Sequence, residues 1–235
     1  MKWISIATVL LVLVSVESTA QITIKTEYFG TSAYRDEHNQ KVGSSKGSAM
    51  VYHGSANLPL SMKKNESNQP TIWGIGLSGD YASLNNKNIA EPLVLSEILN
   101  LQMLLFHVRP LSEKWSMMAS VGVGVYTGDT RFSHLRFRNV LGSAGLVFVR
   151  RILPNLELGA GLALNNAFGY PMAFPALYVN WNYGHKLTCS FSALEGANLA
   201  VGYNVNKTFS ISFITEMGGQ MALTELNGDD KIFTH

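Results

Sequence analysis

The stretch Lys114–Tyr126, KWSMMASVGVGVY, leaves the chain little freedom in what it can fold into. Read with a period of two, one face carries Trp115, Met117, Ala119, Val121, Val123 and Val125. The other carries Ser116, Met118, Ser120, Gly122, Gly124 and Tyr126. Alternation of this kind is a strand's, because successive side chains point to opposite faces. The second face decides which kind of strand. A strand facing water carries Lys, Glu, Thr or Arg, whereas this face is nearly all glycine and serine. Small uncharged residues suit the interior of a narrow barrel, with the Trp/Val face turned to lipid. About ten residues, tilted near 45°, cross the hydrocarbon layer. The stretch is therefore expected to be a transmembrane strand.

Bulk composition points the same way. Charged residues make up 14% of the 235, against about 25% in ordinary soluble domains. Hydrophobic residues, at 46%, are not enriched to match. Beyond the N-terminus no uninterrupted apolar run approaches the ~18 residues of a spanning helix. A barrel reconciles these numbers, since half of each strand meets lipid and half meets a small polar interior. A net charge of +2 gives no reason to expect nucleic acid. Met1–Ala20 reads as a cleaved secretory leader, with Lys2, an apolar core and Ser18-Thr19-Ala20 ahead of Gln21. The domain division is thus 1–20 leader and 21–235 barrel, and the expected location is the outer membrane. Cys189 is the sole cysteine and is read as a packed or lipid-facing thiol.

Strand-like segments follow at approximately 22–34, 47–61, 71–83, 93–108, 115–127, 139–150, 156–165, 174–183, 187–193, 198–205 and 208–217. Several repeat the same face chemistry. Trp73, Ile75, Leu77 and Tyr81 alternate with Gly74, Gly76, Ser78 and Asp80. Leu156, Leu158, Leu162 and Leu164 alternate with Glu157, Gly159, Gly161 and Asn165. Short connections such as 109–114 and 151–155 alternate with longer ones such as 84–92 and 128–138. That is the outer-membrane pattern of short periplasmic turns and longer outer loops. Trp73, Trp115, Trp181 and Tyr183 fall at the short-turn ends of their strands, and Tyr34, Tyr81, Tyr126, Tyr170 and Phe174 near the other ends. Two aromatic bands match the two interfaces of a membrane; a soluble β-sandwich gives no reason for them.

Taken together, NNAFGYPMAFPALYVNWNY (Asn165–Tyr183), WGIGLSGDYASLNNKN (Trp73–Asn88) and RPLSEKWSMMASVGVGVY resemble an uncharacterised outer-membrane β-barrel family of Bacteroidota-type Gram-negative bacteria. The resemblance covers nearly all of the mature chain and brings no catalytic residues with it. It implies location and architecture, and it also implies further strand-forming sequence where this chain stops at His235. The expected fold is an all-β, antiparallel, up-and-down transmembrane barrel of 11–12 strands, incomplete at its C-terminus. Eleven strands starting in the periplasm leave the last on the outer side, and an open seam beside the first strand follows.

Polar residues on inward faces are His53, Asp80, Asn100, Gln102, Glu157, Asn180, Asn182 and Glu216. Two readings compete: a path or pocket for a small solute, and a hydrogen-bonded network filling a narrow interior. The network is favoured, because narrow barrels are filled by side chains. Arg131, Arg136 and Arg138 in the loop DTRFSHLRFRN form a candidate contact for lipopolysaccharide phosphates. No motif for a metal, phosphate or dinucleotide is present, and no cofactor is expected. The preferred function is non-enzymatic, either a narrow small-solute pore or a structural, envelope-binding barrel, with outer-membrane lipid as its surroundings. The alternative is a lipid-modifying hydrolase or acyltransferase using His53 or His134 with a serine.

Overall fold

The computed structural model describes residues 21–35, 38–88, 95–131, 134–166, 170–184, 186–194, 196–206, 209–226 and 229–234. The leader expected at Met1–Ala20 lies outside them. Eleven strands form one antiparallel sheet in which every neighbour in space is a neighbour in sequence. They are β1 (Gln21–Arg35), β2 (Lys41–Lys64), β3 (Pro70–Lys87), β4 (Glu97–Pro110), β5 (Trp115–Thr127), β6 (Val140–Leu153), β7 (Leu156–Asn165), β8 (Met172–Tyr183), β9 (Leu187–Ala193), β10 (Ala197–Asn204) and β11 (Ser210–Met217). A separate hairpin follows, β12 (Met221–Leu226) paired with β13 (Asp229–Thr234).

The period-two pattern sets which way each strand faces. On β5, Gly124 and Tyr126 are buried while Val121 is 58% exposed. On β7, Ala163 and Asn165 are buried while Leu162 is 71% exposed. On β6, Val147 and Val149 face in, and Leu146 and Phe148 face out. The sheet therefore curls around its small and polar face and leaves its apolar face outward. Its core is split in two. Val147, Val149, Ala163 and Ala176 pack together beneath Leu194, from the turn between β9 and β10. Val51, Ala82 and Ile98 pack around Ala222 of the terminal hairpin.

The curl stops short of closure. β1 is paired only with β2, and β11 only with β10, so the molecule is an open half-barrel with a seam between its first and last strands. The residues after Met217 do not extend the sheet. β12 turns back inside and packs against β4, β5 and the 3-10 turn Phe137–Asn139. Two amides anchor it. Asn139 donates Nδ2–H to the Leu223 carbonyl at 2.7 Å. The Asn100 amide, oriented to donate, lies 2.6 Å from the Met221 carbonyl. Met221 and Ala222 are fully buried. The hairpin thus occupies the interior at the end where the longer loops lie.

Candidate functional site

Register builds the site. Because pairing runs straight across the sheet, Lys25 stands opposite His53, His53 opposite Asp80, Asp80 opposite Asn100, and Asn100 opposite Tyr126. One step toward the short-turn end, the inward row is Thr23, Ser55, Ser78, Gln102 and Gly124. These two polar rows border a cavity of about 790 Å³, whose far wall includes Ser192, Asn198 and Glu216. The row on the other side is apolar, Val51, Ala82 and Ile98, and the hairpin residue Ala222 covers it.

Charge within the cavity is paired. Lys25 Nζ reaches across the seam to Glu216 Oε2 at 2.5 Å and also lies 3.0 Å from Glu27 Oε1. Asn198 donates to the other Glu216 oxygen at 3.1 Å. His53 Nδ1 sits 2.5 Å from Asp80 Oδ1, in side chains that are about a third and a fifth exposed. Glu27, Asp80 and Glu216 thus face one lysine ammonium among the described lining residues. An interior of that balance attracts cations more than anions.

Of the residues read from sequence as inward, His53, Asp80, Gln102 and Glu216 come together around the cavity. Asn100 shares their register row but is buried beneath the hairpin. Glu157 is elsewhere, 3.3 Å from Arg151 at the short-turn end. Asn180 and Asn182 lie at that same end, where they share a 3.4 Å hydrogen bond. The reading missed Lys25, Glu27 and Asn198. The signal was present: in QITIKTEYF, Ile22, Ile24 and Tyr28 alternate with Thr23, Lys25 and Glu27.

In the loop after β5, Asp129 holds the candidate anion contact in check. Arg131 makes a forked contact with its carboxylate, Nε to Oδ1 at 3.0 Å and Nη2 to Oδ2 at 2.8 Å, and His134 Nδ1 is 2.6 Å from Oδ2. The hydrogen bonds from Arg131, aided by His134, hold the Asp129 carboxyl well below the usual carboxylate range. Glu97 pins the start of the same loop by accepting from Thr130 N–H and Oγ1–H at 2.9 and 2.8 Å. The backbone N–H of Arg136 donates to Asn139, the residue that holds the hairpin. Arg136 and Arg138 both precede that residue in sequence.

The chemistry available is limited. Asp80 orients His53 through Nδ1, as the acid of a hydrolytic triad orients its histidine. A serine hydroxyl bonded to the other ring nitrogen is not found among the described residues. No group of three or more His, Cys, Asp or Glu side chains with metal-binding geometry occurs among them either.

Comparison with known proteins places the chain by family. Residues 16–235 match the model described as "Domain of unknown function (DUF6268)", and the chain belongs to that family. No curated protein and no solved structure matches it.

Proposed function

We propose that this DUF6268 member is an outer-membrane β-barrel that admits small polar solutes, cations before anions, to a narrow lumen occluded at its long-loop end. It does so without catalysing a reaction. One observation carries the reading: apolar residues face outward and small or polar residues face inward on strand after strand. In water that arrangement leaves Val121, Leu162, Phe213 and their neighbours exposed for no gain; in lipid it is what a spanning strand requires. No helix among the described residues is long and apolar enough to cross a membrane, a statement that bears on helices alone. The leader and the two aromatic bands support the location, and Gram-negative origin follows from it. Contact with lipopolysaccharide phosphates is the weaker part of the proposal at Arg131, because that guanidinium is held by Asp129.

Membrane fractionation with heat-modifiable gel migration tests the barrel, and planar bilayers test the lumen. The expected result is small, cation-preferring conductance whose selectivity shifts in Asp80→Asn or Glu216→Gln. A fully silent protein would favour a structural barrel. The His53–Asp80 pair keeps the lipid-hydrolase alternative open to test: it requires a lipid A mass change abolished by His53→Ala or His134→Ala.

A further inference from the structure

The two ends of the outward face differ in chemistry. At the long-loop end that face carries tyrosines and a carboxylate. Tyr52 stacks on Tyr81 at 6.3 Å, and Tyr81 Oη donates to Glu97. Lys46 and Lys87 stand much farther along β2 and β3, beyond this tyrosine level. At the short-turn end the outward face interleaves cations with larger rings. Ser61 pairs with Trp73, so Lys63, two residues on, shares that outward face. Trp73 pairs with His107, and the two rings stack at 4.0 Å. Arg109, two residues beyond His107, keeps its parity. Trp115 pairs with Arg150, whose guanidinium lies over the indole at 5.5 Å.

Lys63, Arg109 and Arg150 are exposed, and none makes an ion pair among the described residues. Of the carboxylates at this end, Glu66 and Glu113 stand in the adjoining turns and are not ion-paired with these three cations, and Glu157 is on the inward face and bound to Arg151. The band is continuous with the apolar belt, since the next outward residues are Met117, Phe148 and Leu158. Cations with long alkyl stems at the margin of an apolar belt, beside indoles, suit the headgroup layer. Their unpaired charge suits phosphate. A soluble acidic protein would meet only the charges and leave the adjoining belt uncovered; a lipid leaflet meets both.

We infer that this end of the barrel binds acidic phospholipid headgroups through Lys63, Arg109 and Arg150, with Trp73 and Trp115 fixing the depth. The inference rests on the membrane reading above, so its test separates the two. The full chain is refolded from urea into phosphatidylcholine vesicles with and without phosphatidylglycerol, and inserted protein is read by heat-modifiable migration. The wild type inserts into both and prefers the acidic vesicles. Arg109→Gln/Arg150→Gln inserts into neutral vesicles as the wild type does and loses preference for acidic ones by about thirtyfold, from the attraction of two basic residues to an anionic surface. The double Lys variant at these two positions keeps the preference, and Lys46→Gln/Lys87→Gln at the other end leaves it untouched. An unchanged preference in the Gln double variant, an equal loss in Lys46→Gln/Lys87→Gln, or no preference in the wild type overturns the inference. Failure of the wild type to enter either vesicle overturns the membrane reading and takes this one with it.

Discussion

At the scale of single residues, the inward glycines are there because the curl leaves no room for more. A Cβ on Gly161 would stand 1.8 Å from the Leu146 backbone oxygen, and one on Gly122 would stand 2.7 Å from that of Met103. Backbone cannot step aside as a flexible side chain can. Gly142, on the outward face, would meet nothing nearer than 3.9 Å. Gly161→Val is therefore expected to destabilise the folded form by about 1–3 kcal/mol or more, the cost of overpacking, while Gly142→Val is tolerated. Urea unfolding in detergent micelles separates the two. Outward positions answer to the solvent instead. Val121→Arg should cost about 2–4 kcal/mol in a bilayer, the midplane penalty for a lipid-facing charge. The exposed turn position Glu66 should accept Arg freely, and equal tolerance at both would show the face assignment to be wrong. The glycine and valine choices were legible in sequence because each is dictated by its own strand. The partners of Asp129 were not, since the loop conformation that brings Arg131 and His134 to one carboxylate leaves no periodic trace. That carboxyl titrates below its ordinary value, so the clamp is fully present above the ordinary aspartate range near ~4 and is lost as pH falls toward the depressed value. Proteolysis within 128–139 should accordingly be unchanged between neutral and mildly acid pH and rise only in strong acid. Asp129→Asn should raise it at every pH.

At the scale of elements, some strand bounds were readable to the residue: β5, β7 and β9 coincide with the segments read from alternation, whereas β4 begins at Glu97 and not near 93, and β3 runs on to Lys87 and not only to 83. β2 runs farther than expected at both ends, because KVGSSK and SMKK lack the apolar residues that mark a lipid-crossing strand and are ordered by pairing with β1 and β3. The terminal hairpin was the larger omission. MALTELNGDDK has a turn signal and too short an alternation to declare a strand; it is tertiary packing, Ala222 against Val51, Ala82 and Ile98, that makes it one. Its hold is correspondingly local. Asn139→Ala removes the donor to the Leu223 carbonyl, and Asn100→Ala removes the one beside Met221. Each lost bond is worth about 0.5–1.5 kcal/mol, and the carbonyl left without a partner adds to the cost. The double variant should free the hairpin while leaving the sheet intact. The check is faster amide exchange at Met221 and Leu223 with unchanged exchange in β3 and β4, together with a rise in bilayer conductance. Exchange that rises throughout the sheet would mean that the hairpin is part of the fold's cooperative core and not a plug.

At the scale of the whole molecule, the seam follows from counting. Successive strands in an up-and-down sheet reverse direction, so with eleven strands β1 and β11 run the same way. Neither pairs with the other, and every group on those two edges that faces lipid without a partner costs several kcal/mol. What spans the seam is a side-chain contact, Lys25 to Glu216, in groups that are 40% and 51% exposed. Such a pair is worth about 0.2–1 kcal/mol, too little to offset unpaired backbone, so it marks where the edges lie and does not hold them shut. That distinction can be measured. In a Cys189→Ser background, Lys25→Cys/Glu216→Cys should resist direct oxidation, because a disulfide requires Cα atoms about 4.4–6.8 Å apart, the separation of paired strands and not of an open seam. A flexible bismaleimide of roughly the reach of the two original side chains should join the same cysteines readily, and the linked protein should migrate as a compact species. Control cysteines at Lys25 and His53, opposite one another on paired strands, should oxidise without a linker. Rapid disulfide formation between positions 25 and 216 would instead show that β1 and β11 meet edge to edge in the membrane, closing the barrel through a parallel pair.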